Sequence, residues 1–136
     1  MFLNQSYKWV IPYISVLAFG SLLPLGFAPF HLPSFAFISI ALFYYTLERR
    51  KKPSFWLGFT YGISFFSFSL YWIYDALYLL THFAVLAVVL TTLLISYLSV
   101  FMGFISYLFS VLRKDSTPIL NFFLFSSLWI TSEIFR

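Results

Sequence analysis

Five long apolar runs carry most of this chain, at about residues 9–28, 32–47, 55–74, 83–112 and 119–135. Short segments between them hold nearly all of the charge, and Glu133 is the one ionisable acid or base inside a run. Twenty apolar or small residues in a helix rise about 30 Å, the thickness of a bilayer's hydrocarbon core. The pattern therefore predicts an all-α protein, a polytopic transmembrane helix bundle of about five spans in a single membrane domain, 1–136.

The run at 55–74, FWLGFTYGISFFSFSLYWIY, organises the rest. Arg49, Arg50, Lys51 and Lys52 precede it, and Tyr71, Trp72, Tyr74 and Asp75 close it. Such a cationic start and aromatic collar mark the two faces of a membrane. The first run follows Lys8, as the apolar part of a secretory signal does, but it is long for one and no small-x-small cleavage pattern follows. It reads as a retained helix with Pro12 and Pro24 near its ends. LPLGFAPFHLPSF then predicts a tight turn with His31 at its tip. The second run is short for a span unless Tyr44, Tyr45 and snorkelling cations extend it. A weakly polar loop is expected at 76–82. The run at 83–112 is long enough to need tilt or an interfacial turn. RKDSTP ends it, with Thr117 and Pro118 suited to start the last helix.

If these runs alternate across the membrane, Lys8, the four cations at 49–52, Arg113 and Lys114 fall on one side, with Arg136 alone on the other. The bias of cations toward the cytoplasm then predicts a cytoplasmic amino terminus. Composition agrees with the class: 62% of the 136 residues are hydrophobic, 25% aromatic and 9% charged, more apolar than a soluble core could hide. The net charge of +4 belongs to these topology segments and implies no nucleic-acid partner.

Chemistry-bearing residues are few. There is no cysteine, which excludes thiolate nucleophiles and thiolate metal sites within these residues. The two histidines have no metal-ligand spacing, and no catalytic motif is present, so neither a metal site nor a cofactor is expected. Glu48 and Asp115 lie among cations and read as solvated ion-pair partners. Trp129, Glu133 and Arg136 share one helix face at i, i+4 and i+7. An acid near the outer part of a bilayer is costly, so Glu133 reads either as a functional group or as half of an ion pair closing a helix. Trp72, Tyr74 and Asp75 read either as an interfacial anchor or as a lipid-binding rim. Gly58 and Gly62 form one GxxxG. Thr92, Ser96, Ser99, Gly103, Ser106 and Ser110 make a small-residue stripe spaced 4, 3, 4, 3, 4, the pattern of close helix packing, although a polar solute path would look similar.

Three blocks in order, LPLGFAPFHLPSFAF, FWLGFTYGISFFSFSLYWIYDAL and LWITSEIFR, resemble the amino-terminal membrane region of bacterial apolipoprotein N-acyltransferase. Asp75 and His31 depart from that family's pattern. The resemblance implies a multi-pass protein of the bacterial inner membrane that serves lipoprotein maturation. Family members move an acyl chain from a phospholipid, through a cysteine thioester, to the amino-terminal diacylglyceryl-cysteine of a lipoprotein. A Glu, Lys and Cys set in a nitrilase-like domain performs that chemistry, and the cysteine-free 136 residues hold none of it. The resemblance thus implies a truncated, split or decayed copy, not catalytic alone, with a separate nitrilase-like chain as a partner in the split case. It also implies phospholipid and lipoprotein as substrates, and Trp72, Tyr74, Trp129, Glu133 and Arg136 as the residues shaping their entrance. The rival reading is a small non-enzymatic membrane protein, such as a transporter or channel subunit, assembling through the small-residue stripe.

Overall fold

A computed structural model describes residues 6–26, 32–50, 52–114 and 117–135. The expected turn around His31, and Lys51, Asp115 and Arg136, lie outside the described residues, as does the side chain of Lys8. Every regular element described is helical: α1 Ser6–Leu22, a 3-10 helix Leu23–Gly26, α2 Pro33–Arg49, α3 Phe55–Ser69, α4 Tyr71–Thr81, α5 Ala84–Leu112 and α6 Pro118–Phe135.

The apolar runs and the helices differ in instructive places. The first run reaches 28, but α1 stops at Leu22. Pro24 has no N–H to continue the helical ladder, and the chain tightens into the 3-10 turn. Proline opens α2 instead, at a position where the missing N–H costs nothing. The run at 55–74 is not one helix. It breaks at Leu70, and the axes of α3 and α4 differ by 59°. The expected loop at 76–82 is helical through Thr81, because Ala76, Leu77, Leu79 and Leu80 favour helix and nothing there breaks it. The turn is confined to His82, whose φ of 55° is left-handed.

By length and composition α5, with 29 residues, and α6, with 18, are able to cross a membrane, and the bent pair of α3 and α4 makes a third candidate. Helices α1 and α2 have 17 residues each, about 25 Å, short of a full hydrocarbon core. Helix lengths thus support two or three spans among the described residues.

Helix α3 is the packing centre, with α1 on one side and α5 on the other. Gly58 and Gly62 lie one turn apart and let the backbones of α3 and α5 approach closely. A Cβ on Gly58 would overlap the carbonyl oxygen of Met102, and one on Gly62 would stand 2.9 Å from Cα of Ser99. In the opposite direction, Gly103 of α5 makes room for the ring of Phe55. Gly20 of α1 repeats the device, since its Cβ would lie 2.6 Å from the carbonyl oxygen of Tyr61. Contacts this close are how helices associate where the surroundings are as apolar as their side chains.

Polar groups inside the bundle are few and mostly paired. Ser106 Oγ donates across the α3–α5 seam to the Ser54 carbonyl at 2.7 Å, and Ser64 Oγ donates to the Leu17 carbonyl of α1 at 2.6 Å. Tyr61, fully buried, stacks on Phe43 with centroids 4.1 Å apart. Its hydroxyl lies 2.8 Å from Ser39 Oγ, which donates on to the Phe19 carbonyl, so one satisfied chain ties α3, α2 and α1 together. Phe125 brings in α6 with edge contacts to Phe43 and Phe109. Outside this core the apolar side chains face outward. Phe37, Leu80 and Val85 are all more than 70% exposed, an arrangement that lipid can solvate and water cannot.

Substituting alanine for Gly58 is expected to cost about 1–3 kcal/mol or more, the range typical of overpacking, because the obstruction is backbone and not a movable side chain. Thr92→Ala, at an exposed position of α5, is expected to stay within about 0.5 kcal/mol. Unfolding in detergent, compared between the two variants, checks this.

Candidate functional site at the aromatic end

The bundle has two chemically different ends. At one, Arg113 just beyond α5 donates to the carbonyl oxygens of Leu47, Glu48 and Arg50 at the end of α2. A guanidinium there satisfies carbonyls that have no partner within the helix and meets the negative end of its dipole. Arg50 reaches Ser54 Oγ at 3.2 Å, and Ser54 caps α3 by accepting from Leu57 N–H. Asn121 closes the turn into α6 by bonding both the N–H and the carbonyl of Lys114, at 3.0 and 2.9 Å. Tyr13, from the first turns of α1, lies under Arg50 at 5.3 Å. The described cations Arg49, Arg50, Lys52, Arg113 and Lys114 therefore share one end of the bundle.

Helix α3 climbs about 22 Å from that end, and the chain then bends into α4. Here stand the aromatic candidates. Trp72 is exposed, Tyr74 is half-buried and stacks on Tyr78 at 6.3 Å, and Asp75 is exposed. Ser69 Oγ, buried at the bend, has no hydrogen-bond partner among the described residues. Helix α6 rises about 27 Å from the basic end to the same level. Trp129 is half-buried there against the core, 5.8 Å from Phe125, while Glu133 one turn further is exposed.

The candidates thus share an end of the molecule without forming one cluster. Helices α4 and α6 both pack mainly on α5, and no ring contact among the described residues joins Trp72 or Tyr74 to Trp129. The small-residue positions also separate. Gly58, Gly62, Ser99, Gly103 and Ser106 are buried, Ser96 and Ser110 are half-buried, and Thr92 is exposed. Its neighbour Thr91 is buried instead, with its hydroxyl turned to the Ala87 carbonyl of its own helix. Among the described residues no three His, Asp or Glu side chains converge as a metal site would require. Sequence reading passed over Ser39, Tyr61, Asn121 and the clamping role of Arg113. A lone Asn inside an apolar run was the available signal for one of them.

Fold and ends together define an all-helical bundle of the membrane type, with a cationic end and an aromatic end. The family model described as the apolipoprotein N-acyltransferase N-terminal domain matches residues 19–136, and the chain belongs to that family. Among curated proteins it is 34% identical over 130 residues to the apolipoprotein N-acyltransferase of Coxiella burnetii, which covers 90% of this chain and 26% of that protein. The Azotobacter vinelandii protein of the same name is 34% identical over 123 residues, 88% of this chain and 24% of the relative. That of Pseudomonas aeruginosa is 32% identical over 136 residues, 91% and 25%. The chain therefore spans about a quarter of the length of the curated relatives it matches.

The two tryptophans should separate in a stability measurement. Trp129→Ala removes a ring packed on the core and is expected to destabilise by about 1–3 kcal/mol, below the 3–5 of a fully buried Trp. Trp72→Ala at its exposed site is expected to change stability by less than about 0.5 kcal/mol, leaving any loss of function at that position attributable to binding.

Proposed function

We propose that this chain is the membrane portion of an apolipoprotein N-acyltransferase, which transfers a phospholipid acyl chain to the amino-terminal diacylglyceryl-cysteine of lipoproteins. The observation that carries the proposal is the family match over 19–136. In this reading the chain crosses the bacterial inner membrane about five times, with the amino terminus and the basic end on the cytoplasmic side. The clustering of Arg49, Arg50, Lys52, Arg113 and Lys114 at one end supports that orientation. The aromatic end then faces outward.

Work at that end is positioning. Trp72, Tyr74 and Trp129 offer ring faces to acyl and glycerol groups, Arg136 attracts phosphate, and Glu133 orients Arg136. The thioester step needs a thiolate, and these 136 residues contain no cysteine, so the acyl-enzyme forms on a group outside them and the segment is not catalytic by itself. A nitrilase-like domain, on the same polypeptide or on a separate chain, is the partner that would supply it. Phospholipid and lipoprotein are the substrates that meet at the interface between the two.

The test is a chimera in which these 136 residues replace the matching segment of the Pseudomonas aeruginosa relative. The chimera is expected to restore N-acylation of lipoproteins in cells depleted of their own enzyme. Glu133→Ala in the chimera is expected to lower transfer about tenfold, corresponding to about 1.4 kcal/mol. A chimera that reaches the membrane in normal amount and transfers nothing contradicts the proposal. Full activity in the Glu133 variant removes that residue's role alone.

A further inference from the structure

A groove of about 450 Å³ runs along the outside of the bundle between α1 and α2, at the basic end. Each wall is one helix face: Ile11, Ser15 and Phe19 of α1, four residues apart, against Leu42 and Thr46 of α2, also four apart. The two hydroxyls in these walls are turned inward to their own helices. Ser15 Oγ donates to the Ile11 carbonyl at 2.9 Å and Thr46 Oγ1 to the Leu42 carbonyl at 2.8 Å. What the groove presents along its length is mainly carbon. From Ile11 to Phe19 it runs about 12 Å down the helix, inward from the charged end.

Its mouth is different. Arg49 and Arg50 both line it. Each guanidinium rests on an aromatic face, Arg49 over Tyr45 at 4.6 Å and Arg50 over Tyr13 at 5.3 Å. A stacked guanidinium loses less freedom when it binds, and Arg50, which gives one N–H to Ser54 Oγ, still has further in-plane donors to offer. The nearest acid in sequence, Glu48, does not line the groove and interacts with Tyr44 on another side of α2. The groove is open sideways, since Ile11 and Tyr45 are half exposed. A molecule lying in the surrounding membrane could enter without unfolding anything.

An apolar slot headed by two cations at a helix end matches one kind of molecule in a bilayer, a phospholipid with net negative charge. Guanidinium pairs bind phosphate oxygens through charge-assisted hydrogen bonds, and basic pockets between helices on the cation-rich side of membrane proteins select anionic headgroups. We propose that α1 and α2 form a binding site for an anionic phospholipid of the leaflet at the basic end, with its phosphate between Arg49 and Arg50 and one acyl chain in the groove. This site lies at the opposite end of the bundle from Trp72, Trp129 and Glu133. It depends on the bundle sitting in a membrane and not on the acyl-transfer reading, so either can fail alone.

The test uses the full 136-residue chain reconstituted in vesicles of equal parts phosphatidylglycerol and phosphatidylcholine, then released intact for native mass spectrometry. One phosphatidylglycerol is expected to stay bound, favoured over phosphatidylcholine by about fivefold or more. Arg49 is exposed and rests on an exposed ring, so Arg49→Gln leaves the core alone; it is expected to weaken retention about fivefold, with Arg49→Lys restoring part of the loss. Ser15→Leu fills the slot without touching a charge and is expected to abolish retention. Lys52→Gln removes the same charge at the same end outside the groove and is expected to leave retention unchanged. Equal retention of both lipids, equal losses in the Arg49 and Lys52 variants, full retention in Ser15→Leu, or displacement of the lipid by millimolar inorganic phosphate would each overturn the proposal.

Discussion

The close approach of α3 and α5 is the constraint on which the bundle depends. In a bilayer, helices gain little by hiding apolar side chains from surroundings that are equally apolar, so association rests on backbone proximity and on the few hydrogen bonds it permits. Gly58 and Gly62 supply that proximity on α3 and Gly103 on α5, and the Ser106 hydroxyl bonds across the seam to the carbonyl of Ser54. Ser54 also caps α3 and receives Arg50. The same few residues thus set the depth of α3 against α5 and draw the end of α2 toward both. Arg113 completes the joint by holding the last carbonyls of α2.

Two ends follow from this seam. Because α3 and α5 are antiparallel and in fixed register, the cations flanking α2, α3 and α5 come together, and the aromatic residues after α3 are carried to the far side. The bend at Leu70 then turns Tyr71, Trp72 and Tyr74 out of line with α3 and lays α4 on α5. A straight helix through residue 74 would present these rings as a collar. The bent pair presents them on a separate short helix, which suits a surface met by another domain or by lipid headgroups.

Much of this was legible in the sequence, for a simple reason: uncharged runs of membrane length have few folds open to them. The runs at 83–112 and 119–135 differ from α5 and α6 by one residue at the start, and the cation segments end up together. GxxxG at 58–62 is visible as a motif, and its burial against Ser99 and Met102 gives that motif a partner. The bend at Leu70 was not legible, because no proline or glycine marks it, and the packing of α4 on α5 that accompanies it joins residues far apart in sequence. The stripe on α5 looked continuous over six positions, yet α3 has only 15 residues and its glycines meet α5 only around Ser99, Met102 and Ser106. At Thr91 and Thr92 a difference of one residue is about 100° of rotation, which decides which hydroxyl is buried. The Tyr61, Ser39 and Phe19 chain joins residues far apart in sequence, and spacing alone does not reveal such contacts.

The claim that the basic and aromatic ends stand on opposite sides of a membrane is open to one direct measurement. The chain has no cysteine, so a single introduced one is the sole site for a membrane-impermeant maleimide. Lys52→Cys, Lys114→Cys and His82→Cys would be labelled separately in sealed vesicles of known orientation. The account predicts that positions 52 and 114 react from the same side and position 82 from the other. Labelling of position 82 from the side that reaches position 52 would contradict it.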